Sequence, residues 1–153
     1  MADMRFVNSN FYKVIFVAGL LFCQANFAVA ARALPAGDLY FLAQKSFYQL
    51  KAAPEKQKFR HHWVKTIKMF SKVVDRYPKS NEAYRAEFTI GKLYEGLNAV
   101  SKNSKDLDRA AQHYNNVYEK YSSANLSDDA LFRVAEIHLL KKRFAQASTT
   151  FEK

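Results

Sequence analysis

The sequence predicts an all-α fold built from antiparallel helix pairs. Apolar residues recur at steps of three and four after residue 37, which is the spacing of amphipathic helices. Only four glycines and three prolines occur in 153 residues, few for a turn-rich all-β domain, and no stretch alternates polar and apolar residues as a strand would. A 23-residue apolar pattern also occurs twice, which is typical of stacked helical repeats.

The helical periodicity divides the chain into six expected helices. They lie at 38–50, 57–77, 82–97, 107–121, 127–140 and from Arg143 onward. Pro54 separates the first two helices, and Pro78 ends the second because proline cannot continue a helix. The last helix is still helical in pattern at Lys153.

Polar residues at the expected helix starts indicate how these helices begin. Ser80 or Asn81 is expected to cap the third helix, since short polar side chains accept hydrogen bonds from the first free N–H groups. Asp106 is expected to open the fourth helix. Asn125, with Asp128 three residues later, resembles a capping box before the fifth.

The first thirty residues predict a secretory signal peptide. Residues 1–13 are polar and contain Arg5 and Lys13, and an apolar run follows at 14–22. Ala28 and Ala30 then occupy the small positions of a cleavage site. The apolar run is too short to cross a bilayer core, which needs about 20 residues. We therefore expect an exported protein that resides in the periplasm or cell envelope.

Two alternatives to cleavage stay open. In the first, the N-terminus stays attached as an uncleaved membrane anchor. Such an anchor needs a longer apolar span than 14–22, and Gln24 and Asn26 interrupt any extension of that run. A lipid-modified Cys23 would follow the bulky Phe22, where a lipoprotein signal has a small residue. Cleavage after Ala30 would leave a mature chain without cysteine, and therefore without a disulfide or a thiol nucleophile.

The formal net charge of +10 is concentrated on one expected helix face. Its members recur at steps of three, four or seven and are Lys58, Lys65, Lys68, Lys72, Arg76 and Lys79. This basic face is either the solvated side of an amphipathic helix or a docking surface for an anionic envelope component, such as peptidoglycan carboxylates or acidic lipid headgroups. No nucleic-acid partner is expected, because no nucleic-acid-binding motif occurs.

Residues 72–94 and 116–138 carry the same apolar pattern at a distance of 44 residues. The matching pairs are Val73 with Val117, Tyr77 with Tyr121, Ala86 with Ala130, Phe88 with Phe132, Ile90 with Val134, and Leu93 with Ile137. The polar residues between them differ, so the repeated property is packing. Phe88 and Phe132 are expected in the core because they share one slot of the repeat.

The repeated residues resemble the tetratricopeptide signature, in which a small residue and an aromatic residue on one helix meet an alanine and an aromatic residue on the next. One unit contains Ile90, Gly91, Tyr94, Ala110, Tyr114 and Val117, the next Val134, Ala135, His138, Ala147 and Phe151, and the preceding one Thr66, Phe70, Val73 and Pro78. The resemblance implies a solenoid of about three helix pairs over 31–153. Extra residues at 96–106 are expected to form an insertion in one loop.

A longer resemblance covers most of this region. It is carried by "YFLAQKSFYQLKAAPEKQKFRHHWVKTI", "RYPKSNEAY", "SKNSKDLDRA" and "ANLSDDALFRVAEI". These strings resemble the N-terminal helical-repeat region of exported N-acetylmuramoyl-L-alanine amidases of deltaproteobacterial type. The resemblance implies a non-catalytic targeting module of a peptidoglycan hydrolase. The alternative is a stand-alone periplasmic scaffold of the Tol or outer-membrane-assembly kind, which shares the "YP.S..A..A" linker.

No catalytic or metal site is expected within these residues. Zinc hydrolysis needs three protein ligands, whereas the four histidines, His61, His62, His113 and His138, do not form a ligand motif. No cofactor is therefore expected in this segment. The resemblance would place a zinc-dependent catalytic domain beyond Lys153, and Phe151 in an unfinished helix leads us to expect a fragment of a longer chain.

The tetratricopeptide resemblance implies a concave groove lined by the first helix of each pair. The polar residues that it places there are Arg85, Lys92, Glu95, Asp129 and Glu136, with Leu139 beside them. Because the sign of the charge changes along this set, the expected groove ligand is a protein segment or peptide.

Overall fold

The structure is a computed structural model that describes residues 33–153. These residues form seven α-helices and contain no strand. The predicted all-α class is therefore confirmed for these residues. The predicted signal peptide at 1–30, its cleavage site and Cys23 lie outside the described residues. Leu34–Lys153 form one unit, which contains all seven helices.

The helices follow one another with short connections. They are α1 (Ala36–Lys51), α2 (Pro54–Gln57), α3 (Arg60–Arg76), α4 (Asn81–Ser101), α5 (Ser104–Lys120), α6 (Ser127–Leu140) and α7 (Phe144–Phe151). The prediction of one helix at 57–77 was wrong at its start. Pro54 begins a separate turn of helix, and Phe59 has an extended backbone before α3.

The expected insertion at 96–106 is not a loop. Helix α4 continues to Ser101, and only Lys102 and Asn103 separate it from α5. The helix thus continues for four residues beyond the predicted end at Leu97. Lys102 ends it in a left-handed conformation with its N–H bonded to the Asn98 carbonyl, and the Asn98 amide donates to the Asn103 carbonyl at 2.9 Å.

Two of the expected helix caps differ from the structure. Asn103 caps α5, since its side chain accepts a hydrogen bond from the N–H of Lys105 at 3.1 Å, whereas Asp106 was expected to open this helix. Leu126 precedes α6, and no side-chain cap is formed there, so the expected capping box of Asn125 and Asp128 is absent. Ser80 holds the capping position of α4 without a side-chain hydrogen bond.

Consecutive long helices pack antiparallel, as shown by contacts between the end of the later helix and the start of the earlier one. Between α4 and α5, the Ser101 hydroxyl donates to Asp106 at 3.1 Å, while Asn116 near the end of α5 donates to Glu87 near the start of α4 at 3.4 Å. Lys141, just after α6, lies 2.5 Å from Asp108 near the start of α5. The connections of a few residues permit only this arrangement.

The buried apolar residues form two clusters. The first joins α1, α3 and α4 around Trp63, Phe70 and Leu93, and the second joins α5 and α6 around Tyr114 and Val134. Two glycines of α4 let aromatic rings approach the helix. A Cβ atom at Gly91 would lie 2.7 Å from the ring of Tyr114, and one at Gly96 would lie 2.5 Å from the ring of Trp63.

A partly buried ion pair joins α3 to α5. Arg60, the first residue of α3, donates through both terminal nitrogens to the two carboxylate oxygens of Asp106, at 2.6 and 2.8 Å. The Asp106 side chain is fully buried, and Ser101 also donates to it. These hydrogen bonds from Arg60 hold the pKa of the Asp106 carboxyl below its ordinary value, against the opposing effect of burial.

The 44-residue pattern is present in the three-dimensional structure. Matched residues have the same burial at Val73 and Val117, Ala86 and Ala130, Ile90 and Val134, and Leu93 and Ile137. Phe88 and Phe132 break the match. Phe88 is half-buried against the ring of Tyr114, whereas Phe132 is 54% exposed, so its predicted core position was wrong. Phe132 contacts only the ring edge of the partly exposed Phe151 among the described aromatic residues.

Candidate functional site

The five residues predicted for the groove lie on α4 and α6. Arg85, Lys92 and Asp129 are exposed, and Glu95 and Glu136 are half-buried. The structure brings only Glu95 and Glu136 to a common partner, Arg133 of α6, which sequence reasoning had not selected.

Arg133 is hydrogen-bonded to two carboxylates. One of its terminal nitrogens donates to both oxygens of Glu95 at 2.6 Å, and the other donates to Glu136 at 2.5 Å. The Glu95 side chain is 16% exposed and that of Arg133 is 39% exposed. The contact joins α4 to α6, the first helices of two successive pairs. It fixes their spacing at the centre of the candidate surface and leaves one net negative charge there.

The buried Tyr114 of α5 holds Glu95 of this ion-pair group in place. Its hydroxyl donates to Glu95 at 3.1 Å. Burial, followed by the neighbouring negative charge of Glu95, raises the pKa of the Tyr114 hydroxyl well above its usual value, so the hydroxyl remains a donor at any physiological pH. The hydrogen bond with Glu95 likewise raises the pKa of Arg133.

One signal in the sequence could have identified Arg133. It lies four residues after Asp129 and three before Glu136, and side chains at these separations share a helix face. The repeat pattern concealed it, because 44 residues earlier the chain has Thr89, which carries no charge.

The edge of this surface near α1 carries an aromatic and cationic pair. The guanidinium of Arg85 lies 5.6 Å from the centre of the Tyr84 ring, and its Nε donates to the Tyr84 hydroxyl at 3.2 Å. Tyr40 of α1 is close enough for Arg85 and Thr89 to lower the pKa of its hydroxyl, although burial, the largest effect, raises it overall. The exposed Arg85 thus adjoins both α1 and α4.

The predicted basic face is smaller than expected. Lys65, Lys68, Lys72 and Arg76 are exposed on α3, within an arc of about 80° at 100° per residue. Lys58 lies before α3 and is paired with Glu55 at 2.9 Å, and Lys79 lies after its end. The prediction that all six share one helix face was therefore wrong, since the helix spans only four of them.

The four residues that remain, called the α3 basic face below, have no counter-ions within the described chain. No Asp or Glu side chain among residues 33–153 comes within 4 Å of their charged nitrogens. Val64 and Met69 lie between the lysines and line an open depression with His61. The face thus combines exposed positive charge with some apolar surface.

The histidines occupy packing positions rather than a shared site. His113 lies 2.5 Å from the buried Glu87 and is stacked on Tyr94 at 5.6 Å. Burial lowers the pKa of His138 and leaves its Nδ1 without a partner in the described chain. The rings of His61 and His62 touch, with centres 4.0 Å apart.

The described helices contain neither a metal-binding cluster nor a membrane-spanning segment. Among residues 33–153, no three His, Cys, Asp or Glu side chains are arranged to hold a metal ion. Within the same range, no helix is both long and apolar enough to cross a membrane.

Comparison with known proteins adds no relative. No protein-family model, no curated protein and no solved structure matches this chain. Its function must therefore be argued from its own residues.

Proposed function

We propose that this chain is a non-catalytic, tetratricopeptide-like module that binds a protein segment or peptide across the exposed faces of α4 and α6. The observation that carries the proposal is the recurrence of one helix-pair architecture at a fixed period. Tyr77 and Tyr121 each donate a hydrogen bond to a backbone carbonyl 43 residues earlier, at 2.7 and 2.8 Å. Arrays of such pairs present extended surfaces that bind other chains.

The charges on this surface favour a peptide over a uniformly charged ligand. Arg85 and Lys92 on α4 are exposed cations, and Asp129 on α6 is an exposed anion. Between them, Arg133 neutralises one of the two negative charges of Glu95 and Glu136. A ligand with acidic side chains toward α4 and a basic side chain toward α6 would match this order.

In an exported peptidoglycan amidase, this module would act by positioning. Binding a wall or division partner would raise the local concentration of an attached catalytic domain near its substrate. This part of the proposal rests on the four sequence strings quoted above. Sequencing the gene beyond the codon for Lys153 tests it directly. A reading frame that continues into a zinc-binding amidase domain supports the proposal, and a stop codon at that position leaves the stand-alone scaffold.

The peptide-binding part is tested with a library of synthetic peptides that differ in the order of acidic and basic residues. We expect the full chain to retain peptides of mixed charge. The double variant Arg85→Glu, Lys92→Glu should lose those with acidic residues, and Asp129→Lys should lose those with basic residues.

Lys105→Glu combined with Lys120→Glu is the matched control, because it changes two exposed lysines of α5 and leaves α4 and α6 intact. Equal losses in the control and in the α4 double variant would show that only net charge matters. That result would refute binding at the α4 and α6 surface.

A further inference from the structure

A small polar cavity lies where α1, α2 and α3 meet. It has a volume of about 80 Å³ and is lined by the apolar Leu50 and by six polar residues, Ser46, Gln49, Lys56, His62, Lys65 and Thr66. Since one water needs only about 10–15 Å³ of such space, the cavity can hold a group of several heavy atoms. None of its lining residues belongs to the α4 and α6 surface.

Two lysines from different helices supply the charge of this cavity. Lys56 belongs to α2 and Lys65 to α3, and neither has a carboxylate within 4 Å among the described residues. The nearest acidic residue in sequence, Glu55, is already paired with Lys58 at 2.9 Å. Two lysine side chains thus line one concave space without a carboxylate beside them, which favours the binding of an anion there.

The lowered pKa of His62 agrees with the positive charge around this cavity. Burial is the largest effect that lowers its pKa, and the positive charges of His61, Lys56 and Lys65 lower it further. His62 is therefore neutral at pH 7, when its ring can donate one hydrogen bond.

Hydrogen bonds hold part of the cavity wall in place. The Thr66 hydroxyl donates to the carbonyl oxygen of His62 at 3.2 Å, and the Ser46 oxygen lies 3.0 Å from the Thr66 oxygen. Gln49, one turn of α1 beyond Ser46, adds an amide with two N–H donors. Because Thr66 uses its proton on the His62 carbonyl, Ser46 donates to Thr66, and neither hydroxyl has a proton left for a ligand. The side chains that can donate into the space are those of Gln49 on α1, Lys56 on α2, and His62 and Lys65 on α3.

We propose that this cavity binds a phosphate group, either as inorganic phosphate or as the end of a small phosphomonoester. At pH 7 a phosphate group carries a charge of about −1.5 to −2, which balances Lys56 and Lys65 together. Its several oxygens can accept hydrogen bonds from both ammonium groups and from the Gln49 amide at once. A carboxylate would balance only one of the two lysines.

The test is calorimetric titration of the full chain with inorganic phosphate and with glycerol 1-phosphate, at an ionic strength held constant with sodium chloride. The cavity variant is Lys56→Gln with Lys65→Gln. The control is Lys68→Gln with Lys72→Gln, which removes the same charge from α3 but from residues that do not line the cavity. All four lysines are exposed, so both double variants should fold.

We expect the cavity variant to bind phosphate at least about tenfold more weakly than the parent chain, since two charge-assisted hydrogen bonds are lost. The control should stay within about twofold of the parent, because only distant charge is removed. Binding of inorganic phosphate alone identifies the free ion as the ligand, and binding of glycerol 1-phosphate as well identifies the monoester group. Both results support the site.

Two outcomes overturn the proposal. If neither probe produces binding heat or shifts the nuclear magnetic resonance signal of the His62 ring, the cavity does not bind phosphate. If the cavity variant and the control lose affinity equally, phosphate is attracted only by the general positive charge of α3. The peptide-binding proposal is unaffected by either outcome, because its residues lie on α4 and α6.

Discussion

The hydroxyl of Tyr121 donates a hydrogen bond to the carbonyl oxygen of Pro78 at 2.8 Å. Tyr77 makes the equivalent bond to Leu34 at 2.7 Å. Each tyrosine directly follows the second long helix of a pair, and each carbonyl precedes the first, so the bond closes the open end of the pair. Two copies of the same closure explain why the sequence keeps tyrosine at both positions.

Removal of this hydroxyl should weaken the helix pair. We expect Tyr121→Phe to lower the free energy of unfolding by about 1 kcal/mol, the usual net contribution of one hydrogen bond. The measurement is urea denaturation followed by circular dichroism. Tyr118→Phe is the control, because no hydrogen bond of the Tyr118 hydroxyl occurs within the described chain and the ring is retained. Equal effects of the two substitutions would show that the closure does not stabilise the pair.

Much of the helical fold could be predicted from the sequence, because local signals determine it. Pro78 stops α3 because proline cannot continue a helix. Val73 and Val117 each belong to a pattern of apolar residues at steps of three and four, which predicts the buried side of a helix. The extension of α4 from Leu97 to Ser101 was missed because polar hydrogen bonds hold this last turn, through Asn98 and the left-handed Lys102, and apolar spacing does not reveal them.

The candidate site was less predictable, because it depends on contacts between distant segments. Glu95 and Arg133 are 38 residues apart, and only the packing of α6 beside α4 brings them together. Phe132 shows the same limit in reverse. Phe132 and Phe88 occupy matching positions of the repeat, and Phe88 is half-buried against Tyr114. Phe132 is exposed, because burial depends on which side chains cover a position and the repeat pattern does not specify them.

The ion pair of Arg60 with the buried Asp106 predicts a dependence of stability on pH. Because the folded-state pKa of Asp106 is depressed, its contribution is present above the unfolded pKa of about 4 and is lost as pH falls through the folded value. Asp106→Asn should therefore remove part of the loss of stability below about pH 4. It should also cost about 2 kcal/mol at pH 7, since charge-assisted hydrogen bonds to Asp106 are lost while the 40%-exposed Arg60 can be solvated by water.

Urea denaturation at a series of pH values measures both effects. Asp75→Asn is the control, because Asp75 is exposed and forms no ion pair within the described residues. If Asp106→Asn and Asp75→Asn gave the same dependence of the unfolding free energy on pH, the pair of Arg60 and Asp106 would not be a source of acid sensitivity.

The two ion pairs of Arg133 should differ in strength. Its partner Glu95 is 16% exposed and lies on another helix, whereas Glu136 is 35% exposed and lies three residues along the same helix. Double-mutant cycles with Arg133→Gln, Glu95→Gln and Glu136→Gln measure each coupling. We expect about 1–2 kcal/mol for Glu95 and about 0.3–0.5 kcal/mol for Glu136, since exposed pairs within one helix contribute little. A larger coupling to Glu136 would mean that the contact between α4 and α6 does not hold the surface together.

The α3 basic face leads to a prediction about anionic surfaces. We expect Lys68→Glu, Lys72→Glu and Arg76→Glu together to weaken sedimentation of the full chain with isolated peptidoglycan or with vesicles of anionic lipid. Each basic residue near an anionic membrane contributes about 1 kcal/mol, so loss of three should reduce vesicle binding by about a hundredfold or more. Lys65 is left unchanged in this variant because it lines the cavity between α1, α2 and α3.

The control for the basic face carries the same change of net charge on other helices, with Lys92→Glu, Lys105→Glu and Lys120→Glu. A docking surface requires that only the α3 variant lose binding, and that the parent chain also lose it when salt shortens the range of charge interactions from about 10 Å at 0.1 M to about 3 Å at 1 M. If both variants lose binding equally, the attraction follows net charge alone. Lys68, Lys72 and Arg76 are then the solvated side of an amphipathic helix, kept polar only because Trp63 and Phe70 occupy its opposite side.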